Sequence, residues 1–461
     1  MPATAYRLVD RPASAVLFQF GDTAITTTIF LRHCHALAAT LPQAGHMINL
    51  CRDRYAFVVA FAASVLRGHT CLLTGDRSDT GLVVLADTFP GSYIASDEPD
   101  GVTALPVYAV APRTEIEADD HARTAPENPA IPTDQLAAIV FTSGSTGVPT
   151  PHRKTWGALA ERSRAAAEQF GLHAARPSAV VGMVPPQHMY GFETTVLLPL
   201  HAPTASWCGP AFYPTDVQGA LAAVSKPRIL ITTPLQMRGL LRAETRLPAL
   251  HAVISATAPL EAELAAAAEA QWQTQVLEIF GATEVGSIAS RRTVEGDRWK
   301  LYPAVHLTAA DEDGGDAEGG VAVTAPFAPV VPLADEVERI GDDQFRLLGR
   351  RTDIIKLGGH RASLSNLNRA LTAIDGVIDG TFVVPDDLDR QPTARLLAVV
   401  VAPDRSSSSI LLELRGRVDP LFLPRRVIRV AALPRNTLGK LPREALLQLV
   451  AQDLRTPAGE P

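Results

Sequence analysis

Cysteine is scarce in this chain, with four in 461 residues at Cys34, Cys51, Cys71 and Cys208. They are scattered, with no CxxC pair and no metal-ligand spacing, which points to reduced thiols in a cytosolic, cytoplasmic protein. The N-terminus lacks the basic-then-apolar pattern of a signal segment. Long hydrophobic runs are missing too. The longest apolar stretch, Ala56 to Leu66, ends at Arg67 and falls far short of the ~20 residues needed to span a bilayer. It reads as a buried helix, and no integral membrane association is expected. A formal net charge of -7 argues against general nucleic-acid binding. The familiar nucleotide loops are absent as well. No lysine follows Gly147 directly, as a Walker-type loop requires, and no Gly-x-Gly-x-x-Gly stands between a strand and a helix.

What is present is ordinary globular material, 46% hydrophobic and 20% charged, enough for more than one core. Strand-like and helix-like patterns alternate through the first two-thirds. Strands are expected at His46–Leu50, Thr70–Thr74, Arg228–Thr232, His251–Ser255 and Gln275–Ile279, with helices at Asp53–Leu66 and Leu260–Trp272. Such alternation implies parallel sheets covered by helices. Glu336 to Leu348 reads as a hairpin turning at Gly341-Asp342-Asp343, and 311–320 as a loop. Beyond Gly349 the rhythm changes to a smaller α+β unit. Strands are expected there at Thr381–Val384, Leu396–Val401 and Val427–Val430, with a helix around Ile410–Arg417 after the polar segment 403–409, which reads as a loop and helix cap. Residues 350–461 carry 17 Lys/Arg against 12 Asp/Glu, a surplus of five positive charges. Either an anionic partner visits this part or surface arginine is in chance excess.

The most informative stretch is Thr142-Ser143-Gly144-Ser145-Thr146-Gly147, which follows the strand-like run Ala137 to Phe141. Its glycines let main-chain amides approach an anion closely, and its hydroxyls add further donors. A flexible Ser/Thr/Gly linker is the plain alternative, and the choice rests on the neighbouring motifs.

That loop resembles the phosphate-binding motif of the adenylate-forming superfamily, which includes acyl- and aryl-CoA synthetases, non-ribosomal peptide adenylation domains and luciferases. The family motif runs Thr-Ser-Gly-Thr-Thr-Gly-x-Pro-Lys-Gly. Thr150 stands here in place of its lysine, and Lys154 is the candidate to supply the phosphate contact. Ile279-Phe280-Gly281-Ala282-Thr283-Glu284 resembles Tyr-Gly-x-Thr-Glu. The resemblance implies Thr283 on phosphate, Glu284 on Mg²⁺, and Phe280 and Gly281 against the adenine. Ser255-Ala256-Thr257-Ala258-Pro259-Leu260 resembles Ser-Gly-Gly-Ala-Pro-Leu, with both glycines replaced, and implies Ser255 and Ala258 at the substrate and adenine edges. Asp335 stands fourteen residues before Gly349, the family's separation between its ribose aspartate and its hinge. Gly349-Arg350-Arg351-Thr352-Asp353-Ile354-Ile355-Lys356-Leu357-Gly358-Gly359 resembles the hinge segment itself. It implies Arg350 on ribose or phosphate, a pivot at Thr352, and Lys356 and Gly359 in the thioester step. Pro434-Arg435-Asn436-Thr437-Leu438-Gly439-Lys440 resembles the signature that carries the family's catalytic lysine. An ammonium there neutralises the repulsion between an attacking carboxylate and the α-phosphate. Val184-Pro185-Pro186-Gln187-His188-Met189-Tyr190-Gly191-Phe192-Glu193 resembles the segment closing the acid site. It implies His188, Tyr190 and Gly191 on the substrate side, with His188 as a gate.

The fold implied is α/β: a large N-terminal adenylate-forming domain, 1–349, binding ATP and acid, and a small mobile α+β domain, 350–461, bearing Lys440. The paired segments around His188 and Lys154 resemble most the stand-alone ligases of aryl polyene and xanthomonadin pathways. This implies a small aromatic, hydroxybenzoate-like carboxylic acid transferred to the phosphopantetheine thiol of an acyl carrier protein in trans. Free CoA is the alternative acceptor. A nucleotide-binding regulator without turnover is the alternative of a different class, supported by the replaced loop lysine and by Thr352 at a pivot where the family normally has Asp or Lys.

Overall fold

The computed structural model describes residues 4–99, 105–110, 126–142, 150–309, 320–350, 354–357, 360–385, 395–435 and 441–455. The chain divides into two compact units, Met1–Pro332 with Ile340–Phe345, and Leu333–Arg339 with Arg346–Pro461. The division passes through the expected hairpin, whose arms are Asp335–Arg339 and Gln344–Arg350.

Beside a two-stranded and a three-stranded sheet, two large sheets form the body of the first unit. One runs in the spatial order Thr150–Thr155, Leu136–Thr142, Thr70–Leu73, His46–Asn49, Tyr93–Ser96, Val107–Ala109. Its strands are parallel apart from the antiparallel pair Thr150–Thr155 and Leu136–Thr142. The second sheet has a parallel centre in the order Gln275–Ala282, Ala252–Ser255, Arg228–Thr232, Ser178–Gly182, Thr204–Trp207, Val16–Phe20. Antiparallel strands flank it, Gly286–Arg292 beside Gln275–Ala282 and Thr23–Thr26 beside Val16–Phe20. The central strands are buried on both faces, which is why they read as continuous apolar runs rather than alternating ones.

Helix Arg54–Leu66 starts where Asp53 Oδ1 accepts the amides of Tyr55 and Ala56 at 3.0 Å each, a side-chain N-cap. Every residue from Tyr55 to Val65 is buried, so a helix apolar all round becomes a core element. It packs against Thr27–Thr40 in a core shared with Phe18, Phe30, Trp156 and Phe192. Helix Ala262–Trp272 covers the second sheet, placing Leu264, Ala265 and Ala268 in a separate core with Val253 and Val276. All four cysteines are free and buried.

The second unit is α+β, as its sequence rhythm implies. Strands Asp379–Val383, Leu397–Val401 and Arg426–Arg429 form one sheet, accompanied by helices Leu364–Thr372, Ser407–Leu414 and Arg443–Arg455. The helix expected around Ile410–Arg417 sits earlier, at Ser407–Leu414, because Ser406 caps it. The Ser406 hydroxyl accepts the Ser409 amide at 3.1 Å, so the serine run forms the first turn instead of a loop. Among the described residues no helix is long and apolar enough to cross a membrane.

Candidate functional site

The pair Leu136–Thr142 and Thr150–Thr155 brings the two ends of the phosphate-loop motif together, Thr142 opposite Thr150. Ser143, Gly144, Ser145, Thr146 and Gly147 lie outside the described residues, and Thr142 is described only as the end of its strand. Alternation along the second strand puts His152 and Lys154 on one face. Lys154, expected on a phosphate, is 3% exposed, and its Nζ donates to the main-chain carbonyl of Glu284 at 2.6 Å. Burial lowers its pKa to about 8, opposed by the charges of Glu193 and Glu284. His152 Nε2 lies 4.0 Å from Glu284 Oε1.

The Thr-Glu motif forms the turn between strands Gln275–Ala282 and Gly286–Arg292, closed by the Val285 amide on the Ala282 carbonyl at 3.1 Å. Two glycines permit this turn. A Cβ on Gly281 would lie 2.6 Å from the Gly286 carbonyl oxygen. Gly286 itself has φ +101°, and a Cβ there would lie 2.2 Å from Glu193 Oε1. Glu193 is buried and accepts the Ser287 amide at 3.2 Å and the Ser287 hydroxyl at 2.5 Å. Buried Arg162 donates to the Ser287 carbonyl at 3.2 Å. Burial raises the Glu193 pKa, while Ser287, Arg162 and Lys154 hold it back. Three charged side chains, Lys154, Glu193 and Arg162, therefore lie beneath a turn that leaves Thr283 half-buried and the Glu284 side chain 44% exposed.

Among the described residues no group of three or more His, Cys, Asp or Glu is placed to hold a metal. A single exposed carboxylate still fits Mg²⁺, which is held through one or two carboxylates with substrate phosphates and water rather than by an all-protein cage.

The substrate-side residues are brought together by Tyr190. Its buried hydroxyl donates to the carbonyls of Ile254 and Thr232, at 2.8 and 3.1 Å, tying the His188 segment to the strand that ends in Ser255. Gly191 is required by close approach, since a Cβ there would lie 2.0 Å from the Pro185 carbonyl oxygen. The turn then opens into a π-type helix over Phe192–Leu197, a geometry frequent at functional sites. His188 precedes Met189–Gly191, and its imidazole lies 3.3 Å from where a Cβ on Gly75 would sit. Ser255 is fully buried, and its hydroxyl has no partner among the described residues. Thr257 adopts φ +80°, a left-handed conformation open to glycine and costly for a β-branched residue. Thr257 stands where the resembling family has glycine, the residue this backbone conformation favours. Ala258 follows, half-buried. Phe280 packs edge-on against Phe345, centroids 5.8 Å apart, and tilted against Trp299 at 5.7 Å.

In the second unit, Asp335 opens strand Asp335–Arg339, Arg350 ends strand Gln344–Arg350, and Lys356 lies on Ile354–Leu357 opposite Arg361. Thr352, Gly359 and Lys440 lie outside the described residues. The chain on either side of Lys440 is anchored within this unit. Arg435 forks onto Asp379 through two 2.7 Å bonds, and Arg443 donates to the Val384 carbonyl at 3.3 Å.

The sequence motifs named Glu193 only as the end of the His188 segment, with no role of its own, and did not single out Arg162, His152 or Ser287. Glu193 carried a signal, being the lone acid in the run Phe192 to Leu200. The shared face of His152 and Lys154 was a second.

Residues 7–312 match the family model of the AMP-binding enzymes. The chain is 33% identical over 318 residues to a 4-coumarate–CoA ligase of Halorhodospira halophila, covering 65% of this chain and 73% of that protein. Its fold is similar to a crystal structure of the anthranilate CoA ligase AuaEII in complex with anthranoyl-AMP. There the TM-score is 0.78 at 15% identity, covering 98% of this chain and 99% of the other. It is also similar to the o-succinylbenzoate CoA synthetase MenE of Bacillus subtilis in complex with ATP and magnesium, at TM-score 0.76 and 17% identity, covering 94% and 96%. With the family model spanning well over half its length, the chain belongs to the AMP-binding enzymes of the adenylate-forming superfamily and is an ATP-dependent, AMP-forming ligase.

Proposed function

We propose that this ligase activates a small aromatic carboxylic acid, hydroxybenzoate-like in size and shape, and passes the acyl group to the phosphopantetheine thiol of an acyl carrier protein in trans. The observation that carries the adenylation half is the exposed Glu284 carboxylate, on a turn whose main chain is held by Lys154 and Glu193. Mg²⁺ bound with ATP screens the phosphate charge. Thr283 and Glu284 orient that metal–phosphate group, and the hydroxyls and amides of residues 142–147 cradle the phosphates. Phe280 and the Ala256–Leu260 edge receive the adenine, and Asp335 and Arg350 receive the ribose. His188 and Ser255 line the acid side.

The carboxylate attacks the α-phosphate, the bond to pyrophosphate breaks, and an acyl-adenylate forms. Lys440 supplies the ammonium that offsets the charge developing in this step. A pivot near Thr352 then brings Lys356 and Gly359 toward the acceptor thiol, which attacks the acyl carbon and releases AMP. Alignment is most of what this second step needs.

The aromatic acid is supported by relatives and structural neighbours named for coumarate, anthranilate and o-succinylbenzoate. Those same names favour CoA as acceptor. The surplus of Lys and Arg in residues 350–461 favours an acidic carrier, and CoA phosphates would gain from it too. The deciding experiment is acid-dependent ATP–pyrophosphate exchange over a benzoate panel, followed by separate offers of CoA and carrier. Thioester with carrier alone is expected, and thioester with CoA alone overturns the carrier reading. Lys440→Ala is expected to lose adenylate formation while sparing thioester formation from supplied acyl-adenylate. Equal loss of both halves overturns its assignment.

A further inference from the structure

Lys154 and Glu193 approach the Thr283–Glu284 turn from different parts of the chain, and both grip its main chain or the residue just after it. Lys154 takes the Glu284 carbonyl at 2.6 Å. Glu193 takes the Ser287 amide and hydroxyl, in a space kept open by the missing side chain of Gly286. Arg162 holds the Ser287 carbonyl from within the same buried set. Charges placed this deep are costly unless their hydrogen bonds are met. Lys154 and Glu193 find their hydrogen bonds in this one turn or the strand that leaves it, while Arg162 places one donor there and leaves Nε and Nη2 without a partner among the described residues.

We propose that Lys154 and Glu193 are positioning residues that clamp the 283–287 turn from two sides, so that the Glu284 carboxylate is presented at fixed geometry to nucleotide-bound Mg²⁺. The clamp rests on the assignment of Mg²⁺ to Glu284. It gives Lys154 a role different from the phosphate contact expected of it: the ammonium acts through the main chain of the metal-binding residue. Because a carboxylate on a turn loses orientation when the turn frays, the clamp should tune metal affinity more than nucleotide affinity.

The test uses the full-length chain with Lys154→Met, Glu193→Gln, Glu193→Ala and Glu284→Gln. The first readout needs no activity: hydrogen–deuterium exchange of a peptide spanning 282–292 in metal-free protein. Exchange there is expected to quicken in Lys154→Met and Glu193→Ala. Glu193→Gln keeps an acceptor for Ser287 and is expected to stay nearer wild type. The second readout is Mg²⁺ titration of ATP–pyrophosphate exchange at saturating ATP. The half-saturating Mg²⁺ is expected to rise about tenfold in Lys154→Met, the lower end of what lost outer-shell support costs a metal site. ATP binding measured in EDTA is expected to remain unchanged.

Weaker ATP binding in EDTA, with exchange and Mg²⁺ dependence both at wild type, would make Lys154 a direct phosphate ligand and overturn the clamp. Glu284→Gln separates the two levels of the argument. An unchanged Mg²⁺ dependence in that variant removes the metal from Glu284, and the purpose of the clamp falls with it. Should Lys154→Met not fold, the Glu193 pair carries the same readouts, and equal behaviour of its Gln and Ala forms refutes the grip on Ser287.

Discussion

Glu278 Oε1 accepts the main-chain amide of Leu260 at 2.8 Å, while its other oxygen receives Arg291 at 2.8 Å and the Thr293 hydroxyl at 3.1 Å. A side chain in the middle of a buried strand thus fixes the end of the Ala256–Leu260 segment, the edge assigned to adenine. Glu278→Ala leaves the Arg291 guanidinium, only 17% exposed, without its carboxylate. Removing one member of a buried pair costs about 3 kcal/mol. Urea denaturation is expected to show a loss of that order, with a rise in the KM for ATP as the segment loosens. Glu278→Gln, which can still accept from Leu260, is expected to lose less. A KM unchanged in Glu278→Ala would detach this anchor from the nucleotide.

Thr257 offers a test in the opposite direction. Its φ of +80° is strained for a β-branched residue, at a cost on the order of 1–3 kcal/mol. Glycine removes that strain and gives back part of the gain through the entropy of the unfolded chain, about 0.4–1 kcal/mol. Thr257→Gly is therefore expected to raise the thermal midpoint slightly and to widen this edge of the pocket. A lowered midpoint would show that the threonine side chain contributes more than its backbone costs.

Acid sensitivity should have a traceable component at Glu269. Arg292 forks onto its carboxylate at 2.9 and 2.6 Å, and with the Val276 amide this holds the carboxyl below its ordinary range against the opposing effect of burial. A depressed folded-state value means the unfolded chain binds the proton first. The stabilisation is complete above the unfolded carboxyl value of about 4.3 and is lost as pH falls through the lower folded value. Glu269→Gln is expected to lower the urea midpoint at pH 6 and to show a smaller further drop at pH 3.5 than wild type. Parallel drops in the two proteins would rule this pair out as a source of acid lability.

How far the sequence spoke depended on how local each signal was. The strands His46–Asn49, Thr70–Leu73 and Arg228–Thr232 were legible because burial on both faces writes an unbroken apolar run. The hairpin turning at Gly341–Asp343 was legible from its turn residues. The polar run before Ile410 read as a loop and a helix cap, and the Ser406 bond to the Ser409 amide bears out the cap while starting the helix three residues earlier than expected. The motifs Phe280–Glu284 and Ser255–Leu260 marked the site by resemblance. What holds that site was hidden, because its partners come from far along the chain. Lys154 meets Glu284 across 130 positions and Glu193 meets Ser287 across 94. A buried charge is visible in a sequence only once its partner is known.

The Arg435–Asp379 fork makes the last prediction, because it sits five residues before Lys440 and ties that stretch to the first strand of the small unit's sheet. Two parallel donors on one carboxylate fix direction as well as distance. In the role proposed for Lys440, an ammonium that meets a transition state within a few tenths of an ångström depends on such an anchor, and a displacement of about 1 Å can cost about a hundredfold in rate. Asp379→Ala removes both bonds of the fork while leaving Lys440 in the sequence. The first half-reaction is expected to slow at least tenfold in kcat, with the KM for the acid nearly unchanged. Thioester formation from supplied acyl-adenylate should stay close to wild type. Asp379→Glu, which can remake one of the two bonds, is expected to recover part of the rate. If both half-reactions fall together, the fork serves the folding of the small unit and not the placement of its lysine.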